Sequence, residues 1–115
     1  MTALDTVLTY HRAWTSGDVN GAMRHVADGA VCRAPGGDLV GKQAYRGYLD
    51  GFAPNLTGIT ELAAMADGDQ VALFYHPQTA VTQSSPAAEL FTVRDGLIVE
   101  NVLTFDRLSF APPAA

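Results

Sequence analysis

The 115-residue sequence predicts an α+β domain in which three N-terminal helices pack on one face of a curved, mostly antiparallel sheet. Three observations carry that prediction. Apolar residues recur at helical spacing as far as Phe52, and after Pro54 they gather in runs separated by short turn signals. With 48% hydrophobic and 17% charged residues, a chain of this length can build one core and has no material for a second.

Leu4, Val7, Leu8, His11 and Trp14 place an amphipathic helix over 2–16, with Thr2 as its N-cap and Asp5 in its first turn. Ser16-Gly17 stops it, and Asp18 caps a short second helix whose stripe is Val19, Ala22, Met23 and Val26. Asp28-Gly29 turns the chain, Ala30–Ala34 form a short strand, and Pro35-Gly36-Gly37 break it before Asp38–Val40 return as its partner. From Lys42 a third helix sets Ala44, Tyr45, Tyr48, Leu49 and Phe52 on one face and ends within Gly51–Pro54.

Four strands follow, at about 58–66, 70–79, 87–94 and 97–106, divided by Asp67-Gly68-Asp69, Ser84-Ser85-Pro86 and Asp95-Gly96. Pro77 has no N–H to give a ladder and marks an edge or a bulge. The domain is expected over 1–110, with 111–115, Ala-Pro-Pro-Ala-Ala, as a disordered tail.

Charge and composition narrow the function classes. A net charge of -5 with scattered basic residues opposes a nucleic-acid partner, whose binding rests on basic clusters that release counterions. No apolar run approaches the roughly 18 residues of a membrane span, and the N-terminus lacks the basic start and apolar stretch of a secretory leader, so a cytoplasmic protein without a membrane partner is expected. Cys32 is a lone cysteine, and His11, His25 and His76 are dispersed, so no disulfide, metal or cofactor is expected.

The stretch from Tyr10 through Gly17-Asp18, Ala27-Asp28-Gly29-Ala30-Val31, Gly41-Lys42 and Tyr45, then Phe91-Thr-Val-Arg-Asp-Gly-Leu-Ile, resembles the SnoaL-like branch of the nuclear transport factor 2-like (NTF2-like) superfamily over nearly the whole chain. The resemblance implies a cone-shaped fold with its site between the helices and the concave sheet face, and dimerisation through the opposite face. It says less about function, since that fold hosts isomerases, polyketide cyclases, epoxide hydrolases, dehydratases and non-catalytic members. By resemblance to ketosteroid isomerases, Tyr10 falls on the oxyanion-holding tyrosine and Glu89 on the acid that assists it, whereas the general-base position is Ala34. The water-activating aspartate of the epoxide-hydrolase branch falls on Leu103. The resemblance to polyketide cyclases implies an acidic residue as acid/base, and Asp106 lies nearby, but strand alternation sets it opposite Asn101, Leu103 and Phe105 if those face the pocket.

Two hairpins fit Asp95-Gly96. A two-residue turn pairs Arg94 with Leu97 and Glu89 with Val102; a three-residue loop pairs Val93 with Leu97 and Glu89 with Asn101. The second is preferred, because the resemblance puts Glu89, Asn101 and Phe105 on the concave side and a buried carboxyl needs a hydrogen-bonding neighbour. The same matching turns Phe74, His76 and Gln78 inward, with Pro77 leaving the register open by one residue. His76 then replaces the missing base, since imidazole titrates at about 6.5.

The expected catalytic cluster is therefore Tyr10, His76, Glu89 and Asn101, in a substrate-binding cone lined by Trp14, Cys32, Tyr45, Tyr48, Phe74, Gln78, Phe91, Leu103 and Phe105. Each residue also has a purely structural reading. Tyr10 can be a core tyrosine with a satisfied hydroxyl, His76 a strand-end or loop histidine, and Glu89 an exposed edge residue. Trp14, Tyr45 and Tyr48 can be core, Cys32 a small buried hydrophobe, and His11 and His25 structural or solvent-facing.

Leu73, Tyr75, Leu90, Ile98 and Val102 are expected on the outer face of the sheet, where they call for a homodimer partner. The expected function is a cofactor-independent isomerase, cyclase or dehydratase acting on an apolar carbonyl or polyketide-like compound. The alternatives are a non-catalytic binding or carrier protein for a hydrophobic small molecule, and a dimerisation module whose cone is filled by side chains.

Overall fold

The computed structural model describes residues 1–111, and the tail expected from 111 lies, beyond Ala111, outside the described residues. Helix α1 spans Ala3–Thr15 and opens on a capping box: the Thr2 hydroxyl accepts from the Asp5 backbone N–H while the Asp5 carboxylate accepts from that of Thr2. Asp18 caps the short helix α2, Val19–Met23, through its bond from Gly21 N at 2.8 Å. Val26 does not extend that helix. It begins strand β1, Val26–Ala34, and Asp28-Gly29, expected to turn the chain, lie inside this strand at a register shift.

The two residues Pro35-Gly36 return the chain into β2, Gly37–Val40, so that Ala34 pairs with Gly37. Helix α3, Lys42–Phe52, buries Tyr45 and Leu49 but leaves Ala44 exposed. A single 3-10 turn at Ala53–Asn55 leads into β3, Leu56–Asp67, and then come β4, Gln70–Thr79, β5, Ala87–Arg94, and β6, Leu97–Phe105. Arg107–Phe110 form a final 3-10 turn capped by Asp106.

The six strands form one sheet in the order β2-β1-β6-β5-β4-β3, antiparallel except where β1 runs parallel to β6. The predicted α+β architecture is the observed one. Helix α1 lies over β3 to β6 and α3 over β1 and β2, so the core sits between the helices and one sheet face. No described helix is long and apolar enough to cross a membrane.

Two register details decide which side chains reach that core. Asp95 and Gly96, with φ of 53° and 76°, make the two-residue turn that pairs Arg94 with Leu97, in place of the three-residue loop preferred from the sequence. A bulge then carries the pairing from Val93↔Ile98 to Thr92↔Glu100, leaving Val99 as the extra residue, so Glu89 pairs with Leu103 and Asn101 with Phe91. Neither hairpin derived from the sequence contained that bulge. By breaking the alternation it buries both Ile98 and Asn101, although Ile98 was expected outside.

Strand β4 is offset by one residue from the expected facing. Val71, Leu73, Tyr75, Pro77 and Thr79 are buried, while Phe74, at 40% exposure, His76 and Gln78 take the outer face. A period of two makes a one-residue error exchange every inward side chain for an outward one. Pro77 still pairs with Ile59 of β3 but falls beyond Tyr75↔Ala87, the last β4–β5 pair, which leaves its missing N–H on an unpaired stretch.

Candidate functional site

Five elements bring polar side chains into the apolar core. Helix α1 contributes Tyr10, α3 Tyr45, β4 Tyr75, β5 Glu89 and β6 Asn101, each at most 5% exposed. They form one hydrogen-bonded chain. Tyr10 Oη donates to Tyr45 Oη at 2.8 Å, and Asn101 Nδ2 donates both to Tyr45 Oη at 3.0 Å and to Glu89 Oε1 at 2.7 Å. Tyr75 Oη donates to the other carboxylate oxygen, Oε2, at 2.7 Å. Glu89 and Asn101 are diagonal neighbours on one sheet face, which is why the amide spans them.

Burial raises the Glu89 pKa above the ordinary carboxyl value, and the bonds from Tyr75 and Asn101 pull it partly back. Burial likewise holds Tyr10, Tyr45 and Tyr75 well above the usual phenol value, so they act as donors at neutral pH. Cys32, beside Asn101 in the parallel β1–β6 register, is pushed up to about 12 by burial and then by the Glu89 charge, and is no thiolate nucleophile.

The network lines a cavity completed by Trp14, Cys32, Tyr48, Leu49, Phe52, Pro77, Ala87, Leu103, Phe105 and Phe110. Its enclosed volume is about 20 Å³, room for about one water. Phe110, from the final 3-10 turn, closes the mouth: its ring meets Phe52 and Phe105 edge-on at centroid separations of 5.9 and 5.4 Å. Outside it lies a hollow of about 480 Å³ that shares Tyr48, Phe52, Phe105 and Phe110 with the inner cavity and adds Arg107.

Of the expected cluster, Tyr10, Glu89 and Asn101 come together. Trp14, Cys32, Tyr45, Tyr48, Leu103 and Phe105 line the cavity, and Phe91, outside its lining, is buried against the Tyr10 ring. His76, Phe74 and Gln78 do not belong to the site, because the β4 facing turns them outward, so His76 cannot be its base. Tyr75, expected with Leu73 on the outer face, points inward and takes the position next to Glu89. The signal for it was present: Gln70, His76 and Gln78 share one parity, and Val71, Leu73 and Tyr75 share the other. Asp106 is a capping residue, accepting from Leu108 N and Ser109 Oγ.

His11, expected on the apolar stripe of the first helix and as a structural or solvent-facing residue, takes the structural place. It is fully buried against Tyr75, at a ring separation of 4.5 Å, and Trp14, at 5.6 Å, and neither ring nitrogen has a hydrogen-bond partner among the described residues. Trp14 Nε1 and Asn101 Oδ1 are also buried without partners. Among the described residues no three His, Cys, Asp or Glu side chains converge as metal ligands do.

Residues 7–101 match the model of a family described as SnoaL-like domain. The solved structure of a protein from Kribbella flavida DSM 17836 is 45% identical and superposes with a TM-score of 0.90, over 93% of this chain and 88% of that one. A candidate polyketide cyclase from Sinorhizobium meliloti superposes at 0.77 with 20% identity, over 87% of this chain and 94% of that one. A hypothetical protein with a ketosteroid isomerase-like fold from Catenulispora acidiphila DSM 44928, in complex with trimethylamine, superposes at 0.75 with 20% identity, over 95% and 90%. At that identity the likeness is one of fold. No curated protein matches the sequence.

Proposed function

The chain belongs to the SnoaL-like family, and from that premise we propose that it is a cofactor-independent acid/base enzyme, an isomerase, cyclase or dehydratase acting on an apolar carbonyl or polyketide-like compound. One observation carries the proposal: a single buried carboxyl, Glu89, is held by two donors beside an apolar cavity. A carboxyl whose pKa is raised by burial can take a proton and return it, work worth about 10²–10⁴-fold in rate. With Ala34 at the usual base position and His76 outside, Glu89 is the proton carrier. Tyr75 and Asn101 position it.

Tyr45 is the donor to the substrate oxygen. Its own oxygen accepts from Tyr10 and from Asn101, which leaves its proton without an acceptor among the described residues. Tyr10, whose proton is committed to Tyr45, strengthens that donor from behind. A developing oxyanion at Tyr45 is thus stabilised by a buried, preoriented dipole. Phe110 and Phe52 must part for a molecule larger than water to enter.

A non-catalytic carrier of a hydrophobic molecule is the second reading, favoured by the fact that both Glu89 oxygens already have protein partners. Incubation of apolar ketones with the protein in deuterated buffer separates the two readings. Exchange of α-protons that is lost in Glu89→Gln supports the enzyme, and thermal stabilisation without exchange supports the carrier.

The proposal extends to a homodimer through the outer sheet face, on which Met65, Phe74 and Leu90 are exposed and Val102 is half-buried. That face differs from the one expected by the exchange of Leu73, Tyr75 and Ile98, all buried, for Phe74 and Met65.

A further inference from the structure

The hydrogen-bonded chain of Tyr10, Tyr45, Tyr75, Glu89 and Asn101 leaves one proton and one oxygen atom of its own open, and Trp14 Nε1 on the cavity wall is likewise unpartnered among the described residues. Tyr10 gives its proton to Tyr45 and Tyr75 gives its proton to Glu89, while Asn101 Nδ2 spends its two on Tyr45 and Glu89. What remains is the Tyr45 proton, a donor, and Asn101 Oδ1, an acceptor buried in a residue only 1% exposed and unpartnered among the described residues. Buried polar atoms are rarely left unpaired, because each costs as much as a lost hydrogen bond. With Glu89 ionised and able only to accept, the amide must keep Nδ2 against it, which holds Oδ1 free.

The two open valences are close together. Oδ1 and Nδ2 share one carbon through bonds of about 1.2 and 1.3 Å, and Nδ2 is 3.0 Å from Tyr45 Oη, so Oδ1 lies within about 5.6 Å of that hydroxyl. One oxygen making two hydrogen bonds of about 2.8 Å spans such a gap. It must accept from Tyr45 and donate to Asn101. A hydroxyl does both, whereas a carbonyl or an ether does only the first.

We propose that Tyr45 and Asn101 Oδ1 together form a recognition site for a hydroxyl group on the ligand, an enol, a phenol or an alcohol. The inference rests on the reading of this cavity as the ligand site and adds the chemistry that selects the ligand. For an enolisable compound the pair favours the enol over the keto tautomer. A ligand that only accepts leaves Oδ1 buried and unmet, and binds roughly tenfold or more weakly.

Phenol, anisole and benzaldehyde share a ring and differ in what their oxygen can do. Titrated into the intact protein and followed by NMR, phenol is expected to show a Kd lower than the other two by at least about tenfold, and it alone is expected to move the Asn101 side-chain amide resonances. Tyr45→Phe removes the donor used by all three, so it weakens all three and leaves the advantage of phenol over anisole in place. Equal affinities within about threefold, unmoved Asn101 resonances, or no phenol binding in the millimolar range overturns the proposal. If Tyr45→Phe fails to fold, the comparison on the unaltered protein decides alone. Ketone α-proton exchange without a preference for phenol refutes this inference but not the catalytic reading, and the reverse outcome refutes only the catalytic reading.

Discussion

The Tyr75 hydroxyl donates to Glu89 across neighbouring strands at 2.7 Å, both residues being buried, and this bond joins the cavity's carboxyl to the face of β4 on which that tyrosine stands. It pulls the Glu89 pKa down against the upward push of burial. Tyr75→Phe removes it and drives the Glu89 titration to higher pH. The expected outcome is an activity profile whose limb set by ionised Glu89 moves upward in pH, with loss of about 1.5–3 kcal/mol of stability when Glu89 is charged. A pH–rate profile set beside a denaturant titration checks both parts.

Glu89→Gln is expected to lower turnover by about 10²–10⁴-fold while the fold is kept. It also has a pH-dependent effect on stability. The Glu89 pKa is raised on folding, so its favourable contribution is fully present below the unfolded value near 4.5 and is lost as pH rises through the folded value. The substituted protein should therefore gain Tm relative to the unaltered one as pH rises across that window. A difference in Tm that stays flat with pH would contradict the assignment.

His11 sets an acid limit. Burial, the largest cause, lowers its pKa from 6.5 to about 4, so the unfolded chain binds a proton in a range where the folded chain refuses it. Stability is intact above pH 6.5 and declines as pH falls toward 4, by roughly 3 kcal/mol from this residue. With neither ring nitrogen bonded, His11→Phe is expected to fold and to flatten that decline. Urea midpoints across the range measure it.

Phe110→Ala removes the ring that closes the mouth between Phe52 and Phe105. Association and dissociation of phenol are both expected to quicken by similar factors, leaving Kd little changed, since the change lies in access and not in the polar contacts. NMR line-shape analysis of phenol titrations reports both rates.

Phe74→Glu combined with Leu90→Glu places charge on the outer face and is expected to give a monomer where the unaltered protein sediments as a dimer. A monomer for the unaltered protein at micromolar concentration removes the dimer proposal.

Much of this molecule is legible in its sequence. Thr2, Asp5 and Asp18 cap the helices as their side chains dictate, and the turn dipeptides separate the strands where expected, because caps and tight turns depend on residues a few positions apart. The family resemblance placed Tyr10, Glu89 and Asn101 together. It did not reveal Tyr45 as the free donor, since that depends on which hydroxyl its neighbours have already used.

The sequence by itself determined the main elements and their order, local consequences of spacing and turn chemistry. Only the tertiary structure decided which face of β4 looks inward, where β6 bulges, and so whether His76 or Tyr75 meets Glu89. The physical reason is the period of two. Both faces of β4 carry aromatic residues, Phe74 on one and Tyr75 on the other, and a single bulge or a one-residue slip exchanges them, so the choice falls to packing against α1 and pairing with β5.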